Sequence, residues 1–480
     1  MSLSNCNCRE RDDESILTIK QRIFRIIQNK NVLILGYGRE GKESYKLLRS
    51  LFPQMQLTIA DGNENLEDEL NGLNDKKLKY ILGKDYLLSI NNYDFIIKSP
   101  GISLKNSKID NRVIISSQTD IFLNLFADKI IGVTGTKGKS TTVSLIYHIL
   151  KLAGKDVILA GNIGIPVFGI IERIKKNTII ICELSAHQLE YISCAPHISV
   201  LLNLYEEHLD HYKSYSDYKK SKYNIFKFQT ESDYSIYNRD DEDIMDLIKE
   251  QRFIRNYFPY SSNEELNHGS FIKDNIIHGL KNGLSEYSYN ILNNERNLQG
   301  GHNLLNIMAA INVSIILDID KEIITKGINS FKGLEHRIEY AGTFDGVIYY
   351  NDSISTIPEA TIQAVITLKY VNTLLLGGFD RGINYNKLVD FILDSSIENI
   401  IFISDAGSRI YKLISDKCKE ICTQNYFLTN SFKEAVILAK KHTRKGTICL
   451  LSPAAASYGM FRNFEERGKK FKELVAQTLK

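Results

Sequence analysis

The chain has 480 residues, 43% of them apolar and 24% charged, which are the proportions of a folded globular protein and exclude a disordered one. Sixty Lys and Arg stand against 57 Asp and Glu, and a net charge of +3 gives no reason to expect nucleic-acid binding. At roughly 150 residues per domain, the length suggests about three domains.

Residues 1–30 form an extension without an assignment. Its charged start lacks the apolar core of a signal peptide, and no apolar run reaches the ~18 residues that span a bilayer. A cytoplasmic protein without a membrane partner is therefore expected. Seven cysteines, sparse and odd in number, do not suggest a disulfide framework. The close pairs Cys6/Cys8 and Cys418/Cys422 have no second pair at zinc-ligand spacing and read as structural or incidental thiols.

The first α/β unit is expected over 31–127. NVLILG (31–36) is a short branched run ending in glycine, a buried parallel strand by pattern, and a helical stretch follows it. QLTIAD (56–61) and YDFIIKSPGIS (93–103) are its next strands. A second unit, 128–332, begins with the strand KIIGVTG (129–135), a Gly/Lys/Ser/Thr turn and a helix. NTIIICELS (177–185) and HISVLLNL (197–204) are strands, residues 253–300 look like short strands and loops, and 301–317 is a helix. A third unit, 333–480, carries strands at 346–352, 371–378, 399–404 and 446–453, separated by helical stretches. Strands alternating with helices indicate the α/β class with parallel sheets.

GTKGKSTT (135–142) joins a strand to a helix. Glycines let backbone N–H groups close around phosphate oxygens, and the helix start adds partial positive charge. Gly135, Thr136, Lys137, Gly138, Lys139, Ser140 and Thr141 would thus hold ATP, with Lys139 on the β/γ-phosphates and Ser140 on Mg²⁺. The spacing is a compact variant, because the usual first glycine would fall at Val133.

Gly36-Tyr-Gly-Arg-Glu-Gly41 also follows a strand and opens a helix, with Asp61 at the end of the next strand. Alone it suggests a dinucleotide site. A single nucleotide diphosphate on that helix, with Asp61 near the sugar or base, fits equally well, and so does a bare tight turn. Glu183 ends one strand, and Glu207, His208, Asp210 and His211 follow the next. Ligands bind at the carboxyl ends of parallel strands, so both segments should reach the mouth of the phosphate loop. Glu183 and Ser140 suit one Mg²⁺, and His208 could serve a second ion; a solvated acidic loop is the bland alternative. Lys222 sits among other lysines, and no pattern singles it out.

GTKGKSTT, GNIGIP (161–166), ELSAHQLE (183–190), NLYEEHLDHY (203–212), GGHNLLN (300–306), GLEHRIEY (333–340), YNDS (350–353) and LLSPAAASYGMFRNFEERG (450–468) occur in this order. From about residue 31 onward the chain resembles the Mur ligases, and its closing stretch is most similar to their glutamate-adding members. The resemblance implies three domains: Rossmann-like for the uridine nucleotide, a central P-loop ATPase with a mostly parallel sheet, and a Rossmann-like C-terminal domain for the amino acid. It implies an ATP-dependent amide ligase of peptidoglycan precursor synthesis, a monomer. D-glutamate would be joined to UDP-N-acetylmuramoyl-L-alanine through an acyl phosphate.

By the same resemblance Lys139, His208 and Lys222 are catalytic. Ser140 and Glu183 hold the Mg²⁺ on ATP, and His208 and Lys222 hold a second Mg²⁺, with Lys222 carboxylated on N6. Asn303, Asn306, Arg337 and Asp352 match ATP contacts. Gly36, Asp61, Ser99 and Gly101 match the uridine nucleotide site, and Asn162, Ser185 and Gln188 the muramoyl-alanine site. Thr356, Arg381, Ser457, Tyr458 and Phe464 fall at the acceptor site.

Two family lysines are replaced, one by Ile354 and one by Arg381. Arginine binds a carboxylate with a different geometry from lysine. D-glutamate remains the expected acceptor, with L-glutamate the alternative because chirality rests on these few contacts. A folylpolyglutamate synthetase is the nearest rival on the same fold, but the GxGxxG unit ahead of the ATP loop argues against it.

Overall fold

Branched apolar runs bounded by Gly, Pro or Asp become buried strands, and most hand on to an amphipathic helix. The computed structural model describes residues 18–208, 210–251, 256–292, 296–298, 300–417 and 424–477. The four paired cysteines of the sequence analysis, Cys6, Cys8, Cys418 and Cys422, lie outside these residues, whereas Cys182, Cys194 and Cys449 are buried free thiols. The chain divides into two compact units, Met1–Phe331 with two sheets and Lys332–Lys480 with one.

The first sheet has five parallel strands, β1 (Val32–Leu35), β2 (Leu57–Asp61), β3 (Leu78–Leu82), β4 (Phe95–Lys98) and β5 (Ile114–Ser116), in the order β3-β2-β1-β4-β5. The chain builds one side from β1 to β3 and then crosses to β4. That reversal opens a crevice beyond the carboxyl ends of β1 and β4, where the Gly36 turn and Ser99 lie.

The second sheet comprises β6 (Ile130–Thr134), β7 (Val157–Gly161), β8 (Ile179–Glu183), β9 (Ile198–Leu201), β10 (Tyr234–Asn238), β11 (Tyr257–Ser261), β12 (Gly269–Lys273), β13 (Ile276–Lys281) and β14 (Leu284–Asn290). Their order is β14-β13-β12-β11-β10-β9-β6-β8-β7, antiparallel only at β12/β13 and β13/β14. The polar stretch 253–300 therefore contributes four strands to one continuous sheet. Helices Lys139–Leu152 and Gly301–Ile316 pack together over this sheet, and Val143, Ile146 and Ile149 of the first meet Ile131, Val133 and Val200 beneath it. This close-packed core fixes where the phosphate loop ends.

The second unit has β15 (Glu339–Phe344), β16 (Val347–Asn351), β17 (Val371–Gly377), β18 (Asn399–Ile403), β19 (Asn425–Thr429) and β20 (Ile448–Leu451), ordered β15-β16-β20-β17-β18-β19. Only β15/β16 is antiparallel. Among the described residues, no helix is long and apolar enough to cross a membrane.

Candidate active site

The phosphate loop leaves β6 and closes on the helix Lys139–Leu152, whose N-cap is Gly138 in the left-handed region at φ 85°. No β-carbon fits there, since one would stand 2.4 Å from Asn306 Oδ1. The loop is braced from outside. Thr136 N and Lys137 N donate to the Asn203 carbonyl at 2.9 Å and to its Oδ1 at 2.8 Å, and the Thr136 and Tyr218 hydroxyls lie 3.0 Å apart. Lys139 Nζ donates back to the Gly135 and Thr136 carbonyls at 2.8 and 2.9 Å. Asn306 is buried and accepts from Thr142 Oγ1 at 3.2 Å, and it donates to Asn303 Oδ1 at 3.1 Å. Thr136, Lys137, Gly138, Lys139, Asn303 and Asn306 are therefore tied together around a helix start.

Glu183 ends β8 beside β6. Its Oε1 accepts from Asn162 Nδ2 at 2.8 Å, and its Oε2 is buried without a partner. A buried carboxylate oxygen left open at the carboxyl end of the strand beside β6 fits a Mg²⁺ ion. Lys222, 2% exposed on helix Tyr215–Lys227, donates from Nζ to the Gly135 carbonyl at 2.8 Å. Burial first, and then the Lys139 charge, holds its amine well below the ordinary lysine value. His208 has φ 60° and lies 3.9 Å from Glu207; burial lowers its pKa. Among the described residues, no three His, Cys, Asp or Glu side chains converge as a ready metal cage. Mg²⁺ takes one or two protein ligands and fills its shell with water and phosphate oxygens. A second ion on His208 and Lys222 fits only if the lysine carries a carboxylate, because an amine already donating to a carbonyl offers no anionic oxygen.

Gly36, Asp61, Ser99, Gly101 and Asn162 line one cavity of about 430 Å³. Gly36 has φ 91°, and a β-carbon there would meet Ser99 Cβ at 2.9 Å. Ser99 Oγ donates to the Gly36 carbonyl at 2.9 Å, and Asp61 accepts from Tyr37 N at 2.7 Å, so the turn is tied to both neighbouring strands. Ser185 and Gln188 form a capping box on the short helix after β8. Gln188 Nε2 donates to Glu40 Oε1 at 2.7 Å, linking this segment to the cavity wall.

Sequence reasoning brought His211 to the mouth of the loop but missed Glu40, Asn203 and His187. Glu40 stands inside the glycine motif, in the first helical turn where an acid is favoured, and that was the available signal. His187 packs 4.7 Å from His208 and 4.1 Å from His211 between ring centroids, and burial with these neighbours lowers its pKa to about 3. Nothing in ELSAHQLE announces that packing.

The remaining expected residues belong to the second unit. Asp352 is 1% exposed, accepting from Ser452 Oγ at 2.7 Å and from Ile338 N at 3.1 Å. Burial raises its pKa to about 6. Ser457 is buried, Phe464 and Thr356 are half-buried, and Arg337, Arg381 and Tyr458 are exposed. The Phe464 carbonyl accepts from Ser353 Oγ at 2.8 Å, and Asp380, next to Arg381, pairs with Arg409 at 2.7 Å.

A phosphate loop on a parallel sheet, a nucleotide-sized cavity at a switch point and a separate α/β unit define a multidomain P-loop protein. A profile of the Mur ligase middle domain matches residues 133–314. The chain is 32% identical over 458 residues to the UDP-N-acetylmuramoylalanine–D-glutamate ligase of Thermoanaerobacter sp. (strain X514), covering 94% of this chain and 99% of that one. It is 34% identical over 464 residues to the enzyme of the same name from Clostridioides difficile (strain 630), again with 94% and 99% covered. Its fold is similar to that of the MurF ligase from Thermotoga maritima solved in complex with ADP, with TM-score 0.51, 16% identity, and 88% of this chain and 95% of that chain covered. The chain belongs to the Mur ligase family, whose members are ATP-dependent ligases.

Proposed function

We propose that this chain joins D-glutamate to UDP-N-acetylmuramoyl-L-alanine at the expense of ATP, as a cytoplasmic monomer in peptidoglycan precursor synthesis. The observation that carries the reading is identity above 30% along nearly the whole length to ligases bearing that name. The site chemistry supports it.

A carboxylate is a poor electrophile. Its oxygen attacks the γ-phosphorus of ATP, ADP leaves, and an acyl phosphate forms. The glutamate amine then attacks the acyl carbon, and phosphate departs from the tetrahedral adduct as the amine loses a proton. Lys139 and the amides at the start of helix Lys139–Leu152 stabilise charge on the transferring phosphoryl group. Ser140 and Glu183 would hold Mg²⁺, with His208 and an N6-carboxylated Lys222 holding a second ion; bound there, Mg²⁺ offsets repulsion between the two anions. The cavity at Gly36, Asp61, Ser99 and Gly101 would take the uridine nucleotide, with Asn162, Ser185 and Gln188 beside its muramoyl-alanine part. Asn303, Asn306, Arg337 and Asp352 serve ATP, and the acceptor is held by Thr356, Arg381, Ser457, Tyr458 and Phe464. The domains follow as 31–127 for the nucleotide sugar, 128–332 for ATP and 333–480 for the amino acid.

Phosphate release from ATP with UDP-N-acetylmuramoyl-L-alanine, compared between D- and L-glutamate, tests this. Turnover with D-glutamate is expected. Turnover with L-glutamate alone would make Ile354 and Arg381 a stereochemical switch, and release with neither would overturn the assignment of both substrates.

A further inference from the structure

His208 stands in a backbone conformation that its residue type disfavours. Its φ of 60° is left-handed, and a side chain with a β-carbon persists there only where the surroundings dictate it. Its carbonyl accepts from His211 N at 3.0 Å and from Tyr212 N at 3.1 Å, which closes a turn. The His187 ring packs against His208 and His211 and stacks on Tyr212, with 5.5 Å between centroids and 4° between planes. Where His208 stands therefore depends on what holds His211.

His211 is held from the first sheet. It is buried, and its Nε2 lies 3.2 Å from Glu190 Oε2, an oxygen that only accepts. The same oxygen accepts from Lys98 Nζ at 3.3 Å. Lys98 is 2% exposed at the end of β4, immediately before Ser99 of the cavity wall, and its ammonium stands 5.4 Å from the centre of the Tyr191 ring. Two more bonds reach the turn from the segment after Ser99. Ser103 Oγ donates to the His211 carbonyl at 2.9 Å, and Lys105 Nζ donates to the Asp210 carbonyl. A buried ion pair adds little stability over apolar residues of similar volume; what it can fix is one arrangement over others.

We propose that Glu190 and His211 are positioning residues for His208, anchored on Lys98, so that the first sheet sets where His208 stands over the second. The importance of His208 comes from the ligase reading, on which the inference rests. The relay acts through the turn at His208, so it governs the rate of the reaction and not the binding of the nucleotide sugar. A small misplacement of a group at the reacting centre is enough to slow a reaction.

The test is the double variant Lys98→Met/Glu190→Met in the full chain. Removing both charges together leaves no lone buried ion, as either change alone would. Hydrogen exchange should accelerate about tenfold or more at the His211 and Tyr212 amides, whose bonds close the turn, while β9 and helix Tyr215–Lys227 stay as protected as in wild type. The kcat of ligation should fall about tenfold to a hundredfold, with KM for the nucleotide sugar within about twofold of wild type. Wild-type exchange at those two amides, or a wild-type kcat, overturns the proposal. So does protection lost across β9 and the helix alike, which would make the pair a support of the fold alone. Should the double variant not fold, His211→Phe keeps the ring volume and the Lys98–Glu190 pair but drops the bond between them and the turn. It should show the same faster exchange at Tyr212 and the same lower kcat, and wild-type values of both overturn the relay. A wild-type chain inactive with either glutamate would instead overturn the ligase reading, while exchange in the variants still decides whether the relay holds the turn.

Discussion

Gly138 and Gly154 bracket the helix Lys139–Leu152, and both adopt left-handed backbone angles, φ 85° and 69°. Alanine at either position costs about 1–2 kcal/mol of backbone strain. The two sites differ in space. A β-carbon at Gly154 meets nothing within 4 Å, whereas one at Gly138 would sit 2.4 Å from Asn306 Oδ1. Asn306 must then move and give up its bonds with Thr142 and Asn303, at 3.2 and 3.1 Å. With each bond worth about 1 kcal/mol, Gly138→Ala should cost roughly 3–4 kcal/mol against roughly 1–2 for Gly154→Ala. Urea unfolding of the two variants side by side reads the difference. Nucleotide affinity, measured by calorimetry, should fall only in Gly138→Ala, because only that change disturbs the loop. Equal losses of stability in both variants would refute the steric argument.

Lys139→Ala should lower ligation by about a thousandfold or more, while losing its two loop bonds at 2.8 and 2.9 Å lowers stability by only about 2 kcal/mol and leaves the chain folded, since the lysine acts chiefly on phosphate charge. Near-normal turnover would sink the phosphate-loop assignment. Lys222→Ala should be largely inactive and partly rescued by added short carboxylates, which can supply the missing anionic oxygen; full activity without additive would remove the carboxylated lysine from the scheme. Asp352 titrates near pH 6 in the folded chain against an ordinary 3.8. Between those values the folded state keeps a proton that the unfolded chain has released, so stability falls as pH rises from about 4 to about 6 and is level above. Asp352→Asn should abolish that fall, worth about 3 kcal/mol over the window. Unfolding midpoints at pH 4.5 and 7 that shift alike in both proteins would contradict the burial argument.

Strands buried on both faces were legible because their sequences are unbroken apolar runs, as in VLIL of β1 and NIIFI of β18. The unread strands lie at edges or are very short: LKYIL of β3 is partly exposed, β5 has three residues, and EYAGTF and NYFLT form the two edges of the third sheet. β10, YSIYN, was not read as a strand because it mixes polar with apolar residues, yet Ser235 is buried and donates to Gln229 at 2.5 Å. The phosphate loop was readable as one contiguous motif. Lys222 was not, because what distinguishes it from its neighbouring lysines is burial against a carbonyl 87 residues away in the chain.

Lys139 rests on two carbonyls of its own loop, at 2.8 and 2.9 Å, and in the proposed reaction those bonds would stand against its bonds to phosphate. Nucleotide binding would then exchange one set of oxygen partners for another, leaving little order to impose. The same carbonyls compete with ADP for the lysine once the γ-phosphoryl group has gone. A loop with its own placeholder would grip the spent nucleotide less tightly than one whose lysine has nowhere else to go, which would favour product release.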